Sequence, residues 1–525
     1  MTQAVPENIP SVLHWAAREF DSIEALVDEK ERYTYASLEI AVQGVARALI
    51  ASGVQAGDRV SIWAPNSATW LLTSLGIYAA GAIMVPVNTR FRGSEAGHVL
   101  RTSGARILFT VTNFLGADYV AMLDGVEGLN SIEEIVVLDG PVRDGLTSWE
   151  TFMARAAKTP VADVIDREAA IGPDSTCDII FTSGTTGAPK GAMLTHGASI
   201  RTYIGWRDRV GLQRADRYLV VYPFFHTGGL KSGALACLLT GATVVPHAVF
   251  DVPSVMRRVV EERINVLPGP PTVFLSILND PELPNFDLSS LRLSITGAAT
   301  TPVEVVRRMR DDLHIEGIVT GYGLTETHGT VSMCHHTDPL DVVAATVGPP
   351  LHGIEVRVLD GDDRDLPAGE PGEIVVRGFN VMKGYFNDPG ATEAAFFEDS
   401  WLRTGDIGIL DESGYIHITD RKKDMFIAGG FNAYPAEIEG IMLRHPAVAQ
   451  VAVIGIPDER LGEVGMAFVI PRPDQTVDET ELITWCRDKM ANYKVPRRVR
   501  LVNELPLNPS GKVMKFRLRE QVEGG

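Results

Sequence analysis

Between positions 182 and 191 the chain reads Thr182-Ser183-Gly184-Thr185-Thr186-Gly187-Ala188-Pro189-Lys190-Gly191. Hydroxyls, glycines and one lysine are crowded into a single turn. Glycine lets backbone N–H groups approach an anion closely, the hydroxyls donate further hydrogen bonds, and Lys190 brings a positive charge. Such a turn is suited to holding the phosphates of a nucleotide. It is not the phosphate loop that ends in Gly-Lys-Ser/Thr, because that triplet does not follow at the required spacing. Taken alone, the same residues also describe a solvated surface turn, so the reading depends on what the rest of the chain brings to the place.

The elements that must position this turn follow from the hydrophobic pattern. Ile179–Phe181, immediately before it, reads as a buried strand leaving a parallel sheet. From about Ser37 to Asp338, short β-branched runs alternate with longer helical patterns. Strands are expected at Arg59–Trp63, Ile107–Thr110, Glu134–Leu138, Ile179–Thr182, Tyr218–Val221, Thr243–Pro246, Asn265–Leu267 and Leu291–Thr296. A helix is expected over Thr301–Leu313, with Thr301 as its cap, Pro302 in the first turn and Glu304 closing a capping box. Alternation of this kind predicts parallel sheets covered by helices. From about Val347 to Asp420 the pattern changes to short strands between Gly and Pro turns, which predicts an antiparallel or barrel-like part. Beyond Arg421, helix Pro435–Arg444, strands Gln450–Ile456 and Met466–Pro471, helix Asp478–Met490 and strand Arg498–Val502 predict a separate α+β unit. The boundary falls in the charged run Asp420-Arg421-Lys422-Lys423-Asp424, dividing the chain into 1–420 and 421–525.

Composition narrows the function classes. At 525 residues the chain is too long for one core. A net charge of −19 argues against nucleic acid or an anionic membrane as the main partner, so a polyanionic ligand must be held by local groups against the overall field. Cys177, Cys237, Cys334 and Cys486 have neither metal nor disulfide spacing, which fits a reducing cytoplasm. The most apolar stretch, Leu71–Val87, contains two glycines, a tyrosine and a proline, and reads as a core helix running into a strand; stable membrane insertion is not expected. Met1–Pro10 shows no signal region and the final Val-Glu-Gly-Gly no peroxisomal address, so the expected location is cytoplasmic.

Six further clusters occur in order: Gly297-Ala298-Ala299, Tyr322-Gly323-Leu324-Thr325-Glu326-Thr327, Thr404-Gly405-Asp406, Asp420-Arg421, Gly429-Gly430-Phe431-Asn432 and Pro509-Ser510-Gly511-Lys512. With the 182–191 turn they resemble the acyl-CoA synthetase branch of the adenylate-forming enzymes over nearly the whole chain. The resemblance implies an α/β fold: a large N-terminal domain of two parallel-sheet subdomains plus a β-barrel-like subdomain, and a small mobile α+β C-terminal domain. It also implies ATP and coenzyme A as co-substrates, Mg²⁺, and a small-molecule carboxylic acid. A free carboxylate resists attack by a thiol because it is anionic and has a poor leaving group. Transfer to AMP removes both obstacles, but it brings two anions together and needs concentrated positive charge.

By the same resemblance, Thr182, Ser183, Gly184, Thr185, Thr186 and Lys190 would grip the β- and γ-phosphates. Glu326 would hold Mg²⁺ and Thr325 would bond the α-phosphate. Gly297, Ala298, Ala299 and Tyr322 would form the adenine slot, and Asp406 and Arg421 would hold the ribose hydroxyls. Lys512 would reach from the small domain to the substrate carboxylate and α-phosphate during adenylation. Lys423 matches the hinge about which that domain turns, and Gly429, Gly430 and Phe431 match the loop beside the pantetheine channel. Phe224-Phe225-His226 resembles the segment whose last residue sits near the reactive carboxylate, although His226 also fits a core histidine. Gly228–Ala234 reads as a helix with small residues on one face, leaving room for an acid. Lys231 is unexpected there, and either snorkels outward or meets a polar group on a non-linear acid.

The run Phe224–Pro246, with Gly269-Pro270-Pro271-Thr272, is most similar to actinobacterial ligases acting on ring-bearing propanoates from steroid breakdown. The acid expected is therefore a fatty acid or a bulky alicyclic, steroid-derived one. The alternative is a fatty acyl-AMP ligase loading a carrier protein. A homodimer is left open.

Overall fold

The computed structural model describes residues 6–182, 188–278, 280–297, 303–421, 426–433, 435–472, 475, 478–506 and 515–523. A seven-stranded sheet runs in the order Thr147–Ser148, Glu134–Asp139, Ile107–Val111, Arg59–Trp63, Ile83–Pro86, Thr176–Thr182, Lys190–Thr195. Its strands are parallel except the last pair, where the chain leaves at Thr182 and returns antiparallel from Lys190, register partners of each other. Every residue of Ile107–Val111 is buried, as expected of a strand covered by helices on both faces. The 182–190 turn is thus pinned at both ends by one ladder, with Ser183, Gly184, Thr185 and Thr186 outside the described residues.

A second sheet holds Arg217–Val220, Thr243–Pro246, Glu24–Val27 and Arg32–Thr34, and a third holds Leu293–Gly297, Gly317–Tyr322 and Ser332–Met333. Asn265–Leu267 was expected as a strand between them. The structure keeps only single bridges there, Val266 to Tyr218 and Val266 to Leu293. Pro268, Pro270 and Pro271 follow, and without N–H groups they cannot extend a ladder. The two sheets still continue into each other there, through amide bonds from Val266 to Arg217, Leu267 to Leu293 and Gly269 to Ile295. The helix expected from Thr301 is described over Val303–Asp311; Thr301 and Pro302 lie outside the described residues.

Strands Ile354–Leu359, Gly372–Gly378, Phe396–Phe397, Trp401–Leu410 and Ile416–Arg421 form an antiparallel sheet, in keeping with the change of pattern after Val347. The last sheet joins Phe431–Ala433, Phe426–Ala428, Gly462–Pro471, Val448–Asp458 and Arg498–Leu501. Its strands alternate between two cores. Val453 and Val469 face Ile438, Met442, Leu482 and Cys486 of helices Pro435–Met442 and Glu479–Lys489. Ala452, Ile454 and Phe468 face Leu505 and Leu518. This is the period of two that a sheet covered on both sides requires. Among the described residues no helix is long and apolar enough to cross a membrane.

Candidate active site

A cavity of about 1630 Å³ opens where several strands end. Pro86, Thr182, Gly297 and Tyr322 close their respective strands at its wall, and Val221 and His247 directly follow theirs. Crevices at the carboxyl ends of parallel strands are where α/β sheets leave backbone groups and side chains free to meet a ligand. Of the residues singled out in the sequence, Thr182, Lys190, His226, Gly297, Tyr322, Thr325, Glu326, Asp406, Gly429, Gly430 and Phe431 all line this one space. Ala298, Ala299, Lys423 and Lys512 lie outside the described residues. Arg421 ends strand Ile416–Arg421 directly opposite Asp406 in the ladder.

Glu326 occupies the short 3₁₀ turn Thr325–Thr327 after strand Gly317–Tyr322. Its Oε1 accepts from the hydroxyls of Thr182 at 3.1 Å and Tyr385 at 2.9 Å. The Met382 amide donates to its backbone oxygen at 2.8 Å. Both side-chain bonds fall on one oxygen, so Oε2 keeps its lone pairs for a ligand. A single carboxylate oxygen facing a cavity suits a hard divalent cation that takes its other ligands from phosphate and water. The Lys190 ammonium lies 5.4 Å from the Tyr385 ring centroid and pairs with no carboxylate among the described residues. Tyr385 was invisible to sequence reasoning because it reaches Glu326 across 59 positions.

His328, next to this turn, also escaped the sequence reading. It is fully buried, with φ near 55°, and bridges two elements: Nδ1 lies 2.7 Å from the Asn380 carbonyl and Nε2 accepts from the Thr195 amide at 3.0 Å. Those partners require a neutral ring carrying its proton on Nδ1. Burial pushes its pKa down to about 4, consistent with that form. His328 so ties the Glu326 turn to strand Lys190–Thr195. On the other side of the cavity the Tyr322 hydroxyl donates to Asp406 Oδ2 at 2.8 Å, and Asp406 is 4% exposed.

The wall beyond His226 is a wide, π-type helix over Gly228–Leu235. Gly229 permits it, since a Cβ there would stand 2.3 Å from the Pro223 carbonyl oxygen. His226 Nδ1 accepts from the Gly228 amide at 3.1 Å, which leaves the proton on Nε2. Unlike His328, the His226 ring is exposed to the cavity, and its enclosure by the cavity walls pushes its pKa downward. Lys231 neither snorkels outward nor faces the cavity. It is 1% exposed, and its Nζ lies 2.5 Å from Asp178 Oδ2, while Tyr78 donates to Oδ1. Burial works against both charges, but their mutual attraction prevails, holding Asp178 below and Lys231 above their ordinary ranges. The pair fastens the helix to strand Thr176–Thr182 behind the cavity wall.

The small sheet closes the cavity's mouth. Gly429 and Gly430 form a two-residue hairpin with φ of 59° and 82°, the doubly left-handed turn that glycine adopts without strain. The backbone passes so near Pro270 that a Cβ at Gly430 would lie 3.0 Å from the proline ring. Phe431 stacks on Tyr493 at 4.9 Å, and the Arg90 guanidinium sits 5.2 Å from the Phe431 ring centroid. Arg90, Arg92, Arg460 and Arg497 all border this end, a local concentration of positive charge on an acidic protein.

With that geometry in hand, the similarity to known proteins is informative. A family model described as AMP-binding enzyme matches residues 13–386, and one described as AMP-binding enzyme C-terminal domain matches residues 437–512. The chain is 46% identical to a Rhodococcus jostii protein named as the CoA ligase of a 7a-methyl-1,5-dioxo-octahydro-1H-inden-4-yl propanoyl group, covering 98% of this chain and 99% of that one. A Mycobacterium tuberculosis protein of the same name is 46% identical, covering 98% of each. Among solved structures, o-succinylbenzoate CoA synthetase from Bacillus subtilis, bound to a product analogue, superimposes with a TM-score of 0.80 at 28% identity, covering 97% of this chain and 98% of that one. The amide bond synthetase from Marinactinospora thermotolerans gives 0.83 at 27% identity, covering 98% and 99%. By class the protein is an acid–thiol ligase. It belongs to the AMP-binding enzyme family.

Proposed function

We propose that this ligase activates a ring-bearing, oxygenated propanoate in two half-reactions at one centre. The acid's carboxylate attacks the α-phosphorus of ATP and expels pyrophosphate. The thiol of coenzyme A then attacks the acyl carbon and expels AMP. The observation that carries the reading is the single cavity on which Thr182, Lys190 and Glu326, the acyl-side His226, and the Gly429–Phe431 hairpin all open. The 46% identity to two propanoyl:CoA ligases of a dioxo bicyclic group supports the choice of acid.

In this account Lys190 neutralises charge on the β- and γ-phosphates together with Ser183, Gly184, Thr185 and Thr186. Thr325 bonds the α-phosphate. Gly297, Ala298, Ala299 and Tyr322 receive adenine, and Asp406 and Arg421 receive the ribose. Glu326 would hold Mg²⁺, which when bound would supply positive charge to the phosphate oxygens. The neutral His226 donates from Nε2 to the carboxylate, fixing its line of approach without competing for a proton. Lys512 stabilises the pentavalent phosphorus of adenylation and leaves when the small domain, 421–525, turns about Lys423. The described placement, with Gly429–Phe431 against the cavity, supports reading it as the thioester-forming arrangement, in which coenzyme A enters past Arg90 and Arg497. Gly228 and Ser232 leave room for fused rings, and the Tyr222 hydroxyl, with no partner among the described residues, offers a donor to a ring carbonyl. The setting is cytoplasmic.

A panel of linear fatty acids, aromatic acids and keto-bearing bicyclic propanoates tests the choice, with acyl-CoA read by mass and AMP by coupled release. The bicyclic propanoates should give the highest kcat/KM. Equal or better turnover of linear fatty acids would overturn the substrate assignment, and an acyl-adenylate that forms but is not converted to acyl-CoA when coenzyme A is added would move the enzyme to the carrier-loading ligases.

A further inference from the structure

Lys494 lies between strand Arg498–Leu501 and helix Glu479–Lys489, in a segment with no obvious chemistry of its own. Its ammonium is fully buried, 2.7 Å from Glu437 Oε1 and 2.7 Å from Glu95 Oε1. Glu437 belongs to helix Pro435–Met442, packed on the small sheet. Glu95 belongs to the first turn of helix Gly93–Ser103, on the large body, 399 positions away. The ring of Phe91, also on the large body, lies 4.5 Å from the same ammonium. One lysine thus joins a helix of each part.

The neighbouring contacts show what that junction holds. Tyr493, the preceding residue, stacks on Phe431, and Arg90, one residue before Phe91, sits over the other end of the same arrangement. Lys494 therefore stands directly behind the hairpin that borders the cavity. The second oxygen of Glu437 has no partner among the described residues, and burial raises this carboxyl's pKa against the pull of Lys494. Remove the ammonium and two carboxyls would face each other across a dry interface, which opposes the placement itself.

An ion pair is well suited to such a junction. A buried salt bridge roughly balances desolvation against attraction, so it fixes orientation without a large net stabilisation. An apolar patch of the same size would favour the closed placement outright. A contact that must form and part in each catalytic cycle gains from the first property and suffers from the second.

We propose that Lys494 is a positioning residue for the thioester-forming half-reaction: by pairing with Glu95 and Glu437 it sets the Gly429–Phe431 hairpin on the cavity, while adenylation proceeds without it. This rests on the two-step reading above. The test compares the half-reactions in the full-length enzyme: acid-dependent pyrophosphate formation without coenzyme A, and conversion of supplied acyl-AMP to acyl-CoA. Lys494→Met should slow the second roughly tenfold while leaving the first within about twofold, and Lys494→Arg should recover part of the loss. Glu95→Gln, which keeps an oxygen to accept from the Arg92 amide and lies on the other part of the chain, should shift the same ratio in the same direction should the lysine variant fold poorly. Equal losses in both half-reactions, or an unchanged thioester rate in both variants, would overturn the role. If the wild-type enzyme itself forms no thioester, the two-step reading fails instead.

Discussion

Lys231 and Lys494 each bury an ammonium against carboxylate, at 2.5 Å from Asp178 and at 2.7 Å from Glu95 and Glu437. Chemically the two sites are alike. They differ in what they join. Lys231 and Asp178 lie 53 positions apart within one cooperative core, on a helix and a strand that share a wall of the cavity. Lys494 joins helices whose cores are separate. The first pair has no reason to open, and losing it should harm everything the large body does. The second can part without unfolding either side, so its loss should appear only in the step that needs the two parts together. Burial and pairing alone do not say whether an ion pair is structural or functional; the elements it spans do.

The comparison is broken most severely at Asp178. Asp178→Ala leaves an unpaired buried ammonium and should cost about 3–5 kcal/mol of stability, read by chemical denaturation. Both half-reactions should fall together; a selective loss of one would show that this pair, too, is functional. Lys512→Ala should lower adenylation by a factor on the order of 10²–10³ while supplied acyl-AMP still becomes thioester, measured in single turnovers. This is the mirror image of the Lys494→Met effect, and if both variants damaged the same half-reaction the division of labour would be wrong.

His14 sharpens the contrast at the smallest scale. Its ring lies 2.8 Å from Glu168 and 2.5 Å from Glu39, joining three helices of the large body. The hydrogen bond to Glu168, helped by Glu39, outweighs burial and raises its pKa to about 9. A raised folded-state pKa stabilises fully below the ordinary value of 6.5 and is lost as the pH rises through about 9. Thermal midpoints taken from pH 6 to 10 should therefore fall more for the wild type than for His14→Asn, by an amount equivalent to about 1 kcal/mol for a partly exposed group. Parallel curves would remove the proton from the account.

Much of this was legible in the sequence because it is local. Ile179–Phe181 announced a buried strand by composition, and Thr182, Lys190 and the Gly429–Phe431 run, singled out from the sequence, line one cavity. What failed was long-range or geometric. Asn265–Leu267 has the composition of a strand, but the prolines after it leave one bridging residue. Lys231 stood out as a misplaced charge, yet its partner Asp178, just before the apolar run Ile179–Phe181, carried no signal that tied it to Lys231. Tyr385, His328 and Lys494 carry no local signal at all, since each gains its meaning from a residue dozens to hundreds of positions away.

The central claim is that one cavity performs two chemically distinct steps in order. The most direct measurement is a single turnover of the wild-type enzyme with ATP and a keto-bearing bicyclic propanoate, following pyrophosphate and AMP separately before and after coenzyme A is added. The account predicts pyrophosphate at once, AMP retained as the acyl-adenylate, and AMP released together with acyl-CoA only when the thiol arrives. AMP released at the same rate without coenzyme A, or no pyrophosphate until it is present, would contradict it.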